Sequence, residues 1–195
     1  MSYVAHTETK ENMTLEIVND EDPMNPRTEF DHVGKMVCFH GHYDLGDKHN
    51  FADPDEFHES SDFKNAVVKL PLYLLDHSGI SMSTGSFNDP WDSGQVGYIL
   101  MSREAALENW GKKRLTKKVL ELAKKCLEAE VEEYNQYLTG DVYGYIVKDA
   151  DGEQVDSCWG FYGFEYAKEE GKSALDSSLE SFKTNNKECS AAMAL

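Results

Sequence analysis

The chain has 195 residues, 40% of them hydrophobic and 11% aromatic, which is apolar mass enough for one sizeable domain with a tail and argues against global disorder or two full domains. Asp and Glu number 36 against 19 Lys and Arg, a formal charge of -17, and a field of that sign repels phosphate, so broad-face binding of nucleic acid or of an anionic membrane is disfavoured. The natural complement is a basic partner.

In chain order, residues 1–12 read as a loose acidic arm, and Thr14–Val18 alternates as a short strand. NDEDPMNPRTEFD is turn and loop chemistry, and Lys35–His40 reads as a buried strand. The polar stretch GHYDLGDKHNFADPDEFHESSDF is too long for a tight turn. Ala66–Leu75 is the clearest strand, with Pro71 demanding an edge, bulge or bend, and Gly94–Ser102 returns as its neighbour. Residues 76–93 are then the connection between the two. Ser102 caps a short helix that Gly111 ends, and apolar spacings of three and four predict a long helix over Thr116–Leu138. Val142–Lys148 and Gln154–Trp159 read as hairpin arms around an Asp151-Gly152 turn. Residues 164–183 read as a last helix broken near Gly171, followed by a frayed tail, TNNKECSAAMAL. Strands and helices without regular alternation predict an α+β fold, a mainly antiparallel sheet with one long amphipathic helix packed on it. The expected division is a single domain over 1–163 and a C-terminal helix and tail over 164–195.

Several residue groups carry chemistry and also fit a bland role. Asp76, His77, Ser78, Asp89 and Asp92 offer carboxylates, an imidazole and a hydroxyl for a ligand or a divalent cation, yet DHSG, Asp89-Pro90 and Asp92-Ser93-Gly94 are also ordinary turn formers. Cys38, His40 and His42 would share one strand face as a metal surface, with Asp44 or His49 following; the alternative is a buried Cys38 beside partly exposed histidines. Cys158 and His77 have the residue types of a nucleophile and base. Asp149, Asp151 and Gly152 match part of a calcium loop, but a hairpin turn accounts for them. Trp159 is expected in the core, whereas Trp91 lies in a turn-rich loop where exposure points to a partner. Lys112, Lys113, Arg114, Lys117 and Lys118 are too isolated in an acidic chain to define a nucleic-acid surface. The four cysteines, Cys38, Cys126, Cys158 and Cys189, form no zinc or disulfide spacing. MSYVAHTETKENMTLEIV lacks the pattern of a secretory signal and no apolar run is of membrane-spanning length, so a soluble cytoplasmic protein is expected.

Four stretches, FDHVGKMVCFH (30–40), LPLYLLDHSGISMSTGSFNDPWDSGQVGYI (70–99), YLTGDVYGYIV (137–147) and DSCWGFYG (156–163), resemble a family of proteins encoded by bacteriophages and by bacterial genomes that carry prophages or plasmids. The resemblance implies a mobile-element origin and action in the cytoplasm of the host bacterium. It brings no enzyme activity, cofactor or residue role. The residues and the resemblance together give the expected function: an accessory protein that inhibits a host defence nuclease, of restriction or CRISPR type, by binding it through an acidic, DNA-mimicking surface. Asp20, Glu21, Asp22, Asp53, Asp55, Glu56, Glu59 and Trp91 are the expected partner-binding residues, facing a basic nucleic-acid-binding protein rather than nucleic acid or membrane. The alternatives are a metal-dependent hydrolase acting on a nucleotide or nucleic acid, or a small-ligand sponge, both using the 76–93 segment.

Overall fold

A computed structural model describes the backbone of residues 3–192 and the side chains of 3–184, and the structural statements below concern these residues. The fold is α+β, with two four-stranded antiparallel sheets and a long helix packed on each. The chain gathers into two compact units, Met1–Met24 with Gly140–Leu195, and Asn25–Thr139. The C-terminal helix therefore belongs with the first strands rather than following a domain over 1–163.

The unit formed by the two chain ends has a sheet of order β1-β2-β7-β8, from β1 (Val4–Lys10), β2 (Met13–Asn19), β7 (Val142–Lys148) and β8 (Gln154–Tyr162). The expected loose arm is thus a strand, turned tightly into β2 at Glu11, whose φ is 53°. Its residues are exposed or half-buried along their length, so no apolar alternation marks it; backbone pairing with β2 holds it. Leu15 and Ile17 of β2, Val147 of β7 and Leu175 and Leu179 of α6 (Phe164–Ala192) form this unit's core. The helix is not broken at Gly171: a Cβ there would lie 2.9 Å from Leu15 Cδ1 and from Ile17 Cδ1, so the glycine lets the helix lie close on the sheet. Helical backbone continues into the tail expected to be frayed, whose last residues, 193–195, lie outside the described residues.

The unit Asn25–Thr139 holds the sheet β3-β6-β4-β5, from β3 (Lys35–Cys38), β4 (Val68–Asp76), β5 (Ile80–Ser83) and β6 (Ser93–Met101). Helix α5 (Lys117–Thr139) covers one face with Val119, Ala123, Leu127, Val131 and Tyr134, packed near Met36, Leu72, Leu74 and Ile99. On the other face Val37 and Leu100 meet Phe57 of α2 (Pro54–Glu59), with Phe63 of α3 (Ser61–Asn65) beside it. Burial on both faces is why β3 and β6 read as nearly continuous apolar runs rather than as alternation. Pro71 sits where β4 pairs with β6 alone, since β5 reaches only Tyr73–Asp76, and a bulge follows at Leu72/Tyr73. Ser102 caps α4 (Arg103–Asn109) as expected, and α1 (Pro26–Glu29) is a single turn capped by Asn25.

A buried ionic network ties this unit together. Arg27 donates from Nε and Nη2 to the two oxygens of Asp47, both at 2.8 Å, from Nη1 to Glu130 Oε2 at 2.9 Å, and from Nη2 to the Gly34 carbonyl at 2.7 Å. Glu130 accepts in turn from the backbone N–H groups of Val33 and Gly34, and Asp47 from that of Met36. Burial works to lower the Arg27 pKa, but the hydrogen bonds and charge of Asp47, and then of Glu130, outweigh it and hold it raised.

Candidate functional site

The segment 76–93 is not one loop. His77 N–H donates to the Gly79 carbonyl at 3.0 Å and Ser78 takes the left-handed conformation (φ 58°), so DHSG closes a tight hairpin between β4 and β5. Ser78 is exposed and serves the turn. A second turn precedes β6: Asp89 Oδ1 accepts from the N–H groups of Trp91 (2.9 Å) and Asp92 (3.1 Å), and the Ser93 hydroxyl donates to the Asp89 carbonyl. Asp76 N–H bonds the Asp92 carbonyl at 2.8 Å, which joins the two turns side by side.

This junction brings His77, Asp89 and Asp92 together, each with a potential ligand atom within 4.8 Å of the others. His77 Nδ1 lies 2.6 Å from Asp92 Oδ2, and that hydrogen bond, then the Asp92 charge, raises the imidazole pKa. The N–H groups of Asp92 and Trp91 hold the Asp89 carboxyl below its usual value. Asp76 takes a different partner, the Tyr43 hydroxyl at 3.3 Å, which raises the tyrosine pKa. Three of the five expected ligand residues thus bring their side chains together at one corner, and Asp76 reaches it through its backbone N–H. A groove of about 480 Å³ runs from it between His40, Gly41, Asp76, Asp92 and Gly94, with Trp91 at its rim, 93% exposed. Trp91 therefore anchors nothing within the fold.

Of the two readings of Cys38, His40 and His42, the structure shows the buried Cys38 beside partly exposed histidines, and the metal face does not form. Strand β3 ends at Cys38, whose side chain is buried in the core and whose thiol is pushed up to about 12 by burial and then by the Asp47 charge. A thiol held protonated is a poor metal ligand. His40 Nδ1 accepts from the N–H groups of His42 and Tyr43, both at 3.2 Å, and His49 Nε2 bonds the Cys38 carbonyl at 2.9 Å. Cys158 is exposed and belongs to the other compact unit from His77. Asp149 Oδ1 accepts from the N–H groups of Asp151 and Glu153 and so shapes the hairpin turn. Trp159, expected in the core, is 46% exposed: it lies over Gly144, where a Cβ would come within 2.4 Å of its ring, on the sheet face away from α6. The lysines and arginine at 112–118 are all exposed.

The expected partner-binding acids fall in both units. Asp20 is half-buried and accepts from Asp22 N–H at 3.1 Å, while Glu21 and Asp22 are exposed. Asp53, Asp55, Glu56 and Glu59 are exposed on α2 and its cap. Two of these also have local duties: Asp53 Oδ1 caps the helix through Glu56 N–H at 2.8 Å, and Glu56 Oε2 accepts from Ala52 N–H at 2.6 Å. Among the described residues none of the four forms an ion pair with Lys or Arg. Sequence reasoning missed the Arg27, Asp47 and Glu130 network; its one available signal is that Arg27 is the sole Lys or Arg between Lys10 and Lys35 in an acidic stretch.

No helix among the described residues is long and apolar enough to cross a membrane. No family model matches the chain, and neither the curated proteins nor the solved structures yield a match.

Proposed function

We propose that this protein acts by binding: a bacteriophage or mobile-element accessory protein that occupies the basic groove of a host nucleic-acid-directed defence enzyme, of restriction or CRISPR type. The observation that carries the reading is the unpaired acidic surface of α2. From Asp53 to Glu59 the helix advances about 9 Å at ~1.5 Å per residue, and a DNA duplex sets about five phosphates along that distance. Asp53, Asp55, Glu56 and Glu59 place four exposed carboxylates there with no lysine or arginine between them. Such a surface releases the counterions of a basic groove much as phosphates do, and the exposed Trp91 adds an aromatic contact of the kind that dominates interfaces. The test is capture of a defence nuclease from the host at low salt, its displacement by duplex DNA, and the behaviour of the Asp55→Lys/Glu59→Lys variant. Full inhibition by that variant at physiological salt would sink the reading.

A second reading has its own observation, the convergence of His77, Asp89 and Asp92 within 4.8 Å. One imidazole and two carboxylates suit a first-row divalent cation and leave coordination positions open for water, as a metal-dependent hydrolase of nucleotides requires. Calorimetry with Mn2+ and Zn2+ tests it: binding with proton release that His77→Ala and Asp89→Asn each abolish supports this reading, and no heat with either ion removes it.

A further inference from the structure

Behind α2 lies a cavity of about 230 Å³ walled by Phe39, Pro54, Phe57, His58 and Tyr98, with Gln95 at its side. Its walls come from α2, from β6 and from Phe39, the residue that follows β3, all in one unit. Pro54, Phe57 and His58 stand at helical positions i, i+3 and i+4 on a single face of α2, and Tyr98 rises from β6 on the sheet face that α2 covers. The His58 and Tyr98 rings meet edge to face with centroids 5.5 Å apart, so the walls are fixed by packing among themselves.

We propose that this cavity receives an arginine side chain of the protein's partner. Three features select that occupant. The ten residues 53–62 carry Asp53, Asp55, Glu56, Glu59 and Asp62 and no Lys or Arg, so the helix that forms one wall favours a cation over a neutral apolar group. Asp62 is already engaged by Lys35 at 2.6 Å, whereas Asp55 and Glu59 have no such counter-charge among the described residues. The aromatic cluster around Phe57 already draws the chain's own cations: Lys69 Nζ sits 4.4 Å from the centre of the Phe63 ring and Lys35 Nζ 5.5 Å from that of Phe51. The cavity between Phe39, Phe57, His58 and Tyr98 presents more rings of this cluster, and among the described residues no lysine lies over them.

Arginine fits better than lysine because a planar guanidinium stacks on rings and is weakly hydrated, so its removal from water costs less. The apolar walls take its methylene stem, and the exposed carboxylates of the same helix, which do not line the cavity, add the negative field that favours a cation. Gln95 spends its amide N–H on the Gly97 carbonyl at 3.4 Å, which leaves its amide oxygen to accept from the guanidinium. This inference rests on the binding reading above and names the group of the basic partner that α2 recognises.

The experiment is an NMR titration of the intact protein with a blocked tripeptide, alanine-arginine-alanine, and with the same peptide carrying citrulline, which keeps the shape and loses the charge. The arginine peptide should shift the His58 and Tyr98 ring resonances in the millimolar range, and the citrulline peptide should bind about tenfold more weakly. The Asp55→Asn/Glu59→Gln variant, which leaves the cap intact, should lower the arginine affinity and retain the spectrum of the folded protein. Equal affinity for the two peptides, or shifts that bypass His58 and Tyr98, would overturn the proposal. An arginine response without salt-sensitive nuclease capture would instead count against the function proposed above and leave the pocket standing.

Discussion

Arg27 and Asp47 meet through two parallel hydrogen bonds, Nε to Oδ1 and Nη2 to Oδ2, each 2.8 Å long, with the arginine side chain only 1% exposed. The pair ties the loop before α2 to β3, because Asp47 also takes the Met36 N–H, and Glu130 extends the tie to α5. Removing Arg27 leaves Glu130 buried without its counter-charge, while Asp47 keeps partial access to water. Arg27→Met should therefore cost about 3–5 kcal/mol in urea unfolding, far more than a surface arginine. Arg27→Lys keeps the charge but loses the fork, and should recover only part of that loss. A change within about 0.5 kcal/mol for Arg27→Met would show that the network contributes nothing net.

The contact of His77 with Asp92 makes a pH prediction whose sign follows from the direction of the shift. The folded-state pKa lies above the ordinary 6.5, so the contribution to stability is complete below that value and fades as pH rises through the higher folded pKa. An NMR titration of the imidazole should give a value above 6.5 in the native protein, falling back in Asp92→Asn. An unchanged midpoint in that variant would remove Asp92 as the cause.

Much of this fold is legible in the sequence, and what is not has physical reasons. Strands β2, β3, β4, β6 and β7 and helices α4 and α5 announce themselves because their apolar residues face a core, and β8 through the Asp151-Gly152 turn that pairs it with β7. Strand β1 has no buried face to announce, and β5 is four residues inside a turn-rich stretch. The junction of His77 with Asp89 and Asp92 depends on the register of β6 on β4, which sets Ser93 opposite Leu75, so local sequence names the residues but not their meeting. The Arg27, Asp47 and Glu130 network is illegible for the same reason, since Glu130 lies 103 residues from Arg27.

Gly171 shows how a local rule gives way to packing. In an exposed helix Gly→Ala stabilises by about 1 kcal/mol. At Gly171 the added methyl would press on Leu15 Cδ1 and Ile17 Cδ1 at 2.9 Å and on Tyr145 Cβ at 3.1 Å. Gly171→Ala should instead destabilise by roughly 1–3 kcal/mol in thermal or urea unfolding. A gain in stability would mean that the helix lies farther from the sheet than the structure places it.

Thiol chemistry separates the cysteines by burial. Cys38 is buried with its pKa pushed up to about 12, and Cys158 is exposed. In the native protein at neutral pH, a disulfide reagent should react rapidly with Cys158, and Cys158→Ser should remove one fast-reacting thiol. Cys38→Ser should remove none, its thiol appearing only after denaturation. Fast native reaction at Cys38 would show that the strand end opens readily and that the loop carrying Asp47 is loosely held.

The acids of α2 must be separated into those that hold the helix and those that only charge it. Asp53 is the cap, and Asp53→Ala should cost about 1 kcal/mol, where Asp55→Ala loses only the smaller attraction of a carboxylate for the helix N-terminus, about 0.3–1 kcal/mol. Because Phe57 is buried from this helix, frayed α2 would also disturb the aromatic cavity. A loss of binding in Asp53→Ala would therefore mix two causes, whereas Asp55→Lys and Glu59→Lys change charge at exposed positions with no capping bond. The two classes should diverge with salt. Binding lost through charge reversal converges with the native value as salt is raised, since a surface of about four charges loses roughly a hundredfold in affinity between 50 and 200 mM salt. Binding lost through the missing cap stays lost at every ionic strength. Parallel salt curves for the two variants would mean that α2 contributes its shape and not its charge.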